Sequence, residues 1–184
     1  VRQESLADAQ ADRHGCAVQF AEIFLRMRPG SDVALLNGMM HVIVSEGLVD
    51  REFIESRTEG FDEGFRKNLE EYTPEAAEKI TGVPKEQIIE AARLYGRSKK
   101  AGIYYTMGIT QHSHGTDNVL SIANLALMCG NLGRESSGVN PLRGQNNVQG
   151  STDMGCSPNL YPGYQRVAVP QVRERFEELW GVRL

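Results

Sequence analysis

Two stretches of this chain are apolar on nearly every helical face, and they limit what it can fold into more than any other feature. Val33, Leu35, Leu36, Met39, Met40, Val42, Ile43 and Val44 make the first. Val119, Leu120, Ile122, Ala123, Leu125, Ala126, Leu127 and Met128 make the second, in a helix from roughly Asp117 to Gly130. A helix without a polar side must be covered from several directions, so the remaining elements have to be arranged around these two. Pro29-Gly30 precedes the first helix, Ser31 or Asp32 can cap it, and it stops at Gly47. No run approaches the ~18 apolar residues of a membrane span. With 40% hydrophobic and 24% charged residues, the composition is that of a soluble globular domain. Its 184 residues are enough to build a core without disulfides, as one ordinary domain or two small ones.

The covering elements are legible as helices with one strand. Ala17, Phe20, Ile23, Phe24 and Met27 fall at spacings of three and four, which predicts a helix from Cys16 to Arg28. Asp50 reads as the cap of the short helix REFIESR, and Phe61, Phe65, Leu69 and Tyr72 form the apolar stripe of an amphipathic helix. Thr73-Pro74-Glu75 supplies a cap, a proline at the first helical position and an acidic first turn; Val83-Pro84-Lys85-Glu86 repeats that start before Ile88, Ile89, Ala92 and Leu94. AGIYYTM, residues 101–107, is β-branched and aromatic, which predicts a strand running directly into Gly108 and the polar loop QHSHGTD. A last amphipathic helix covers residues 172–180 with Phe176, Leu179 and Trp180 on its apolar side. Residues 1–15 carry no period and read as a weakly ordered entry segment. From Gly130 to Gly163, glycine, Asn, Gln, Ser and Pro replace any regular period, which predicts one long irregular loop. Strand followed by helix gives a helix-rich α/β class, with no internal repeats.

Lys and Arg number 20 against 24 Asp and Glu, a net charge of −4 that argues against electrostatically driven binding to nucleic acid or an anionic membrane. Cys16, Cys129 and Cys156 are too far apart for a C-x-x-C knuckle, so no metal cluster is expected from this chain alone. There is no GxGxxG, P-loop, G-x-S-x-G or H-E-x-x-H. The chain opens on Val1, and VRQESLADAQADRHG resembles neither a secretion signal nor a transit peptide. It reads as an excised segment whose missing chemistry lies outside it.

Four places concentrate residues able to do chemistry. PLRGQNNVQGSTDMG, residues 141–155, gathers Gln145, Asn146, Asn147 and Gln149 around Arg143, with glycines at 144 and 150. A planar guanidinium grips a carboxylate or phosphate by two parallel bonds, and glycines let backbone N–H groups approach an anion. The same side chains would equally serve to pin irregular backbone, and composition leaves both readings open. TMGITQ, residues 106–111, follows the strand, where ligands of open α/β sheets sit; Gly108 there allows close approach, and Met107 and Gln111 suit a flat heterocycle, although a glycine after a strand also makes an ordinary tight turn. In RPGSD, residues 28–32, the Asp32 carboxylate suits the adjacent N–H donors of a guanine edge, while Gly30 and Ser31 also make a plain helix stop and restart. His112 and His114 read as an exposed loop pair rather than metal ligands.

MRPGSDVALLNGMMHVIVSEGLVD, FIESRTEGFDEGFRKNLEEYTPEAAEKITGVP, YTMGITQHSHGTDNVLSIANLALMCGNLGRESSGVNPLRGQNNVQGSTDMG and PNLYPGYQRV together resemble the catalytic (alpha) subunit of molybdenum- or tungsten-dependent formate dehydrogenase, within the molybdopterin oxidoreductases. The likeness covers about residues 20–184. It implies a helix-rich, three-layer αβα (Rossmann-like) portion of a larger subunit, holding part of a Mo or W centre with two molybdopterin guanine dinucleotides. On matching positions, Arg143 resembles the arginine that orients formate. Met107, Gly108, Gln111, Gly144 and Gln145 resemble contacts to the pterin dinucleotide, and Gly30, Ser31 and Asp32 the loop that reads guanine. The implied reaction takes formate to CO2, with two electrons passing to a 4Fe-4S cluster and on to electron-transfer subunits or another acceptor. Cys16, Cys129 and Cys156 do not match the family's cluster motif or its Sec/Cys-His metal ligand, so this segment is expected to lie downstream of both and to be inactive alone. Ala11-Asp12-Arg13-His14 stands where relatives carry an Asp-Pro-Arg-like turn, with Arg13 as the matching arginine. A nitrate reductase-like sibling would share the pterin contacts without the Arg143 loop. A non-catalytic helical interaction domain would have no affinity for the pterin.

Overall fold

The computed structural model describes residues 20–184. The predicted entry segment 1–15, Arg13, and residues 16–19 of the first expected helix lie outside the described residues. The chain divides into two compact units, the first ending at Pro141 and the second spanning Leu142–Leu184.

In the first unit everything is organised around α1 (Asp32–Ser45), whose Leu35, Met39, Met40, Val42 and Ile43 are buried. It packs on α3 (Glu63–Glu70), α4 (Pro74–Thr81), α5 (Lys85–Arg97) and α7 (Gly115–Met128). That is the all-round covering its composition demands. The crossing with α4 is close because of Gly38: a Cβ there would stand 2.7 Å from the Ala77 Cβ. The His41 Nδ1–H donates to the Leu69 carbonyl at 2.9 Å and ties α1 to α3. α7 buries Ile122, Leu125, Ala126 and Met128 but leaves Leu120 54% exposed, so the second apolar stretch is covered on fewer sides than the first.

Local chemistry sets the helix starts. Asp50 caps α2 (Arg51–Arg57) by accepting from the Phe53 N–H, Asp62 caps α3 through the Phe65 N–H, and Thr73 caps α4 through the Ala76 N–H with Pro74 at the first helical position. At α5, Pro84 stands one place earlier than the sequence motif implies, at the cap itself. Asp50 also joins distant elements. Its N–H donates to the Met128 carbonyl at 2.8 Å, and its Oδ2 accepts from Arg134 Nη2 at 2.6 Å. Gly130 (φ +64) sits against this pair, and a Cβ there would fall 2.5 Å from Asp50 Oδ2. The neighbouring Cys129 thiol is buried and pushed up to about 12 by burial, so it is no nucleophile.

β1 (Gly102–Tyr105) pairs in parallel with β2 (Gly138–Pro141), from Gly102↔Gly138 to Tyr105↔Pro141, with α6 (Met107–Thr110) and α7 in the crossover. In the second unit α8 (Val148–Asp153) is followed by a hairpin of β3 (Leu160–Tyr161) and β4 (Gln165–Arg166), then α9 (Pro170–Trp180). Tyr161, Phe176 and Trp180 cluster there, with Tyr161 and Phe176 stacked at 4.6 Å. No helix among the described residues is long and apolar enough to cross a membrane.

Two expectations are corrected. Residues 21–28 are not helical: Ile23, Leu25 and Met27 are half-buried while Glu22, Phe24, Arg26 and Arg28 are exposed, a period of two. Leu25 and Met27 pack on the core, whereas Phe20 and Phe24, assigned to the buried face of a helix, are exposed. The stretch from Gly130 to Gly163 is not structureless, since it contains β2, α8 and the start of the hairpin. β2 escapes detection because four residues show no period and their ladder partner is remote in sequence. The helix-rich α/β class stands, and the parallel ladder among the described residues comprises β1 and β2.

Two outcomes are expected. Gly38→Val, which forces α1 from α4, lowers the unfolding free energy by about 2 kcal/mol or more in urea titration. Asp50→Ala costs about 1–2 kcal/mol at neutral pH. The Phe53 N–H above all, then the Arg134 guanidinium, hold the Asp50 carboxyl below its ordinary value of 3.8. A carboxyl lowered by folding stabilises fully above pH 3.8 and loses that effect as pH falls through the lower folded-state value. The gap between wild type and Asp50→Ala therefore narrows in unfolding measurements made below that pH.

Candidate functional site

The residues singled out in the sequence fall in three places, two in the first unit and one in the second. The first is the turn leaving β1. Met107, Gly108 and Gln111 are all exposed here, at the carboxyl end of a parallel strand. The strand expected over residues 101–107 ends at Tyr105, and Met107–Thr110 form the short helix α6, started by the Thr106 hydroxyl, which accepts from the Met107 N–H. A helix of four residues cannot occupy its own carbonyls, so they are met from elsewhere. The Met107 carbonyl accepts from the Gln111 N–H at 2.9 Å, that of Gly108 from His112 Nε2–H at 2.8 Å, and that of Ile109 from Asn118 Nδ2–H at 2.8 Å. The Thr110 carbonyl lies against Gly115, where a Cβ would stand 2.1 Å away. Around Gly108 the situation is the reverse: a Cβ would meet nothing within 4 Å. No packing among the described residues explains that glycine, which leaves its open side available to a ligand.

The second place is the turn into α1. Gly30 has φ +81, which accounts for the glycine by backbone conformation alone. Ser31 is the cap by position, but its hydroxyl turns back to donate to the Arg28 carbonyl at 2.6 Å, so no side chain caps the first turn of α1. Arg28 fixes the turn from below. Its Nη1 donates to the Lys79 and Ile80 carbonyls at 2.8 and 3.1 Å, and its N–H to that of Thr81 at 2.9 Å, a cation at the carboxyl end of α4. Ser31 and Asp32 are buried, at 6% and 3% exposure. The Asp32 carboxylate makes no hydrogen bond or ion pair among the described residues. An acceptor that has no partner among the described residues fits a group that brings N–H donors to it.

The third place is the loop after β2. Asn147, at φ +51, caps α8 by accepting from the Gly150 N–H at 3.1 Å, and a Cβ at Gly150 would strike the Asn147 side chain at 2.4 Å. These two residues therefore pin the backbone, as the structural reading of the loop requires. Arg143, Gly144, Gln145 and Asn146 are different. They are exposed, and the Arg143 guanidinium has no hydrogen bond or ion pair among the described residues. The loop thus separates into a built half, 147–150, and a free cationic half, 143–146.

Sequence reasoning missed Arg28, Asn118 and Gly115. A single Arg before Pro-Gly, an Asn inside an apolar helix and a Gly at a helix start were the available signals, and none is specific without the partner carbonyls. His112 and His114, read as an exposed pair, differ from each other: His112 is half-buried and bonded, His114 exposed at the start of α7.

The sequence profile of the molybdopterin oxidoreductase family matches residues 10–174. Over 164 residues the chain is 52% identical to the F420-dependent formate dehydrogenase subunit alpha of Methanocaldococcus jannaschii, a match covering 89% of this chain and 24% of that protein. It is 51% identical over 164 residues to formate dehydrogenase H of Escherichia coli, covering 89% and 23%. The acetylene hydratase of Pelobacter acetylenicus superposes with a TM-score of 0.64 at 25% identity, covering 73% of this chain and 20% of that one. The chain therefore spans about a quarter of the length of the formate dehydrogenase subunits it matches.

Because a side chain at 115 collides with the Thr110 carbonyl, Gly115→Ala is expected to displace the strand-end turn. Stability should fall by about 2 kcal/mol, with amide hydrogen exchange accelerating over residues 107–111 while α1 keeps its protection.

Proposed function

The chain belongs to the molybdopterin oxidoreductase family, and from that premise we propose that all of it is an internal, cofactor-binding portion of a formate dehydrogenase catalytic subunit that oxidises formate to CO2. The identity of about half to formate dehydrogenase alpha subunits favours formate over the substrate of a nitrate reductase-like sibling. The observation that carries the reading is the Asp32 side chain at the start of α1, which has no hydrogen bond or ion pair among the described residues and so keeps its carboxylate available to a ligand's donors.

The cofactor of this reading is a molybdopterin guanine dinucleotide bearing Mo or W, with a 4Fe-4S cluster held by a part of the subunit upstream of this segment. When bound, it supplies the two-electron acceptor that no side chain can provide. Asp32 would hold the guanine, since a carboxylate accepts the adjacent N–H donors of that edge; the uncapped first turn of α1, beside Gly30 and Ser31, adds backbone donors. Met107, Gly108 and Gln111 would hold the pterin dinucleotide, Gly108 by giving it an open backbone face and Met107 by apolar contact with a flat ring. Gly144 and Gln145 would add contacts from the loop after β2.

Arg143 would bind the substrate. Two parallel N–H···O bonds to formate neutralise its charge and leave the C–H as the one part of the molecule free to point elsewhere. Orientation is what such a fork adds beyond charge, and a lysine supplies charge without it. Because Arg143 makes no hydrogen bond or ion pair among the described residues, binding formate displaces no partner there. The overall change is one formate giving CO2, a proton and two electrons, the electrons passing to partner subunits or another acceptor. The segment alone lacks the acceptor and is inactive.

In the full-length subunit, Arg143→Ala should lower kcat/KM for formate about 10- to 100-fold while leaving pterin content unchanged, and Arg143→Lys should recover little of it. Asp32→Ala should do the opposite, lowering the guanine dinucleotide content of the purified protein. Wild-type turnover of formate by Arg143→Ala would refute the assignment.

A further inference from the structure

The His112 ring stands in the strand-end turn with a defined bond and no role so far. We propose that His112 is a positioning residue: its Nε2–H, donated to the Gly108 carbonyl, holds the turn in the form that leaves the Gly108 backbone open to the pterin dinucleotide. The inference rests on the cofactor reading above and goes beyond it by naming the side chain that shapes the cofactor's bed.

The argument is an accounting of the turn's carbonyls. Those at the far end of α6 are held by α7, Ile109 through the Asn118 amide and Thr110 by contact with Gly115. The Gly108 carbonyl is out of that reach, and its donor is the His112 ring at 2.8 Å. A carbonyl accepts and cannot donate, so Nε2 carries the proton of this bond, in the neutral ring and in the imidazolium alike. The base of the ring is fixed in turn, because the His112 carbonyl accepts from the Gly115 N–H at 3.0 Å. His112 is thus a strut from the start of α7 to the glycine with the empty side. Glycine makes the strut necessary: Gly108 has no side chain to restrict its own backbone, so without the bond the peptide samples more conformations and must be ordered again when a ligand binds. His114, two residues on, is exposed at the start of α7 and makes no bond to the turn.

The test uses the full-length subunit and two substitutions. His112→Phe keeps a ring of similar size and removes the donor; His112→Gln keeps an N–H at similar reach. His114→Phe serves as the control. Pterin and metal content per protein after extensive dialysis, melting of the cofactor-free subunit, and kcat and KM for formate are measured for each. His112→Phe should retain cofactor about five- to tenfold more weakly, with KM for formate unchanged in the molecules that remain loaded. His112→Gln should recover most of the retention, His114→Phe should match wild type, and all cofactor-free forms should melt together. Equal retention by His112→Phe and wild type overturns the proposal. So does an equal loss in His112→Gln and His112→Phe, or a fall in cofactor-free melting that accounts for the loss. Absence of pterin from the wild-type subunit is a different result, which overturns the cofactor reading itself and this inference with it.

Discussion

α1 has no side it can show to water, and much of the first unit follows from that. Met40, Val42 and Ile43 are sealed by helices on several sides. The amino end is where the turn Gly30-Ser31-Asp32 sits, and burial of the helix carries Asp32 into the interior with it. The close Gly38–Ala77 crossing belongs to the same packing that covers α1.

Charges then serve as ties between elements distant in sequence. Arg28 spans the turn before α1 and the last carbonyls of α4. Asp50 spans the start of α2, the end of α7 and the turn carrying Arg134. Arg28 Nη1 reaches two carbonyls and Asp50 engages both carboxylate oxygens, which gives a geometric definition that an exposed single ion pair lacks. Arg143 is the contrast: the same chemistry, left free in a loop whose other half is rigidly capped by Asn147.

What was legible beforehand follows from how local the cause is. The caps at Asp50 and Thr73 were readable because the acceptor and its donor lie three residues apart. The burial of α1 was readable because it needs only a count of apolar residues around the helix. Residues 21–28 were misread because a short window accommodates both periods, and packing of Leu25 and Met27 on the core decided between them. β2, the strut from His112 and the brace from Asn118 were hidden for one reason: each is defined by a partner the local sequence does not name. Candidate ligand contacts at Met107, Gly108, Asp32 and Arg143 were legible by resemblance, whereas the openness of Gly108 and the isolation of Arg143 are properties of the folded chain.

The parallel pairing of β1 with β2 also has an entropic cost. Adjacent antiparallel strands need only a hairpin turn between them, but these two are joined through α6 and α7, so their ladder carries the loop-closure entropy of a long connection. The turn after β1 is braced by Asn118 and Gly115 of α7, so its contacts are short in sequence. Contacts so local need little chain entropy to close, whereas the β1–β2 ladder needs the whole intervening segment in place.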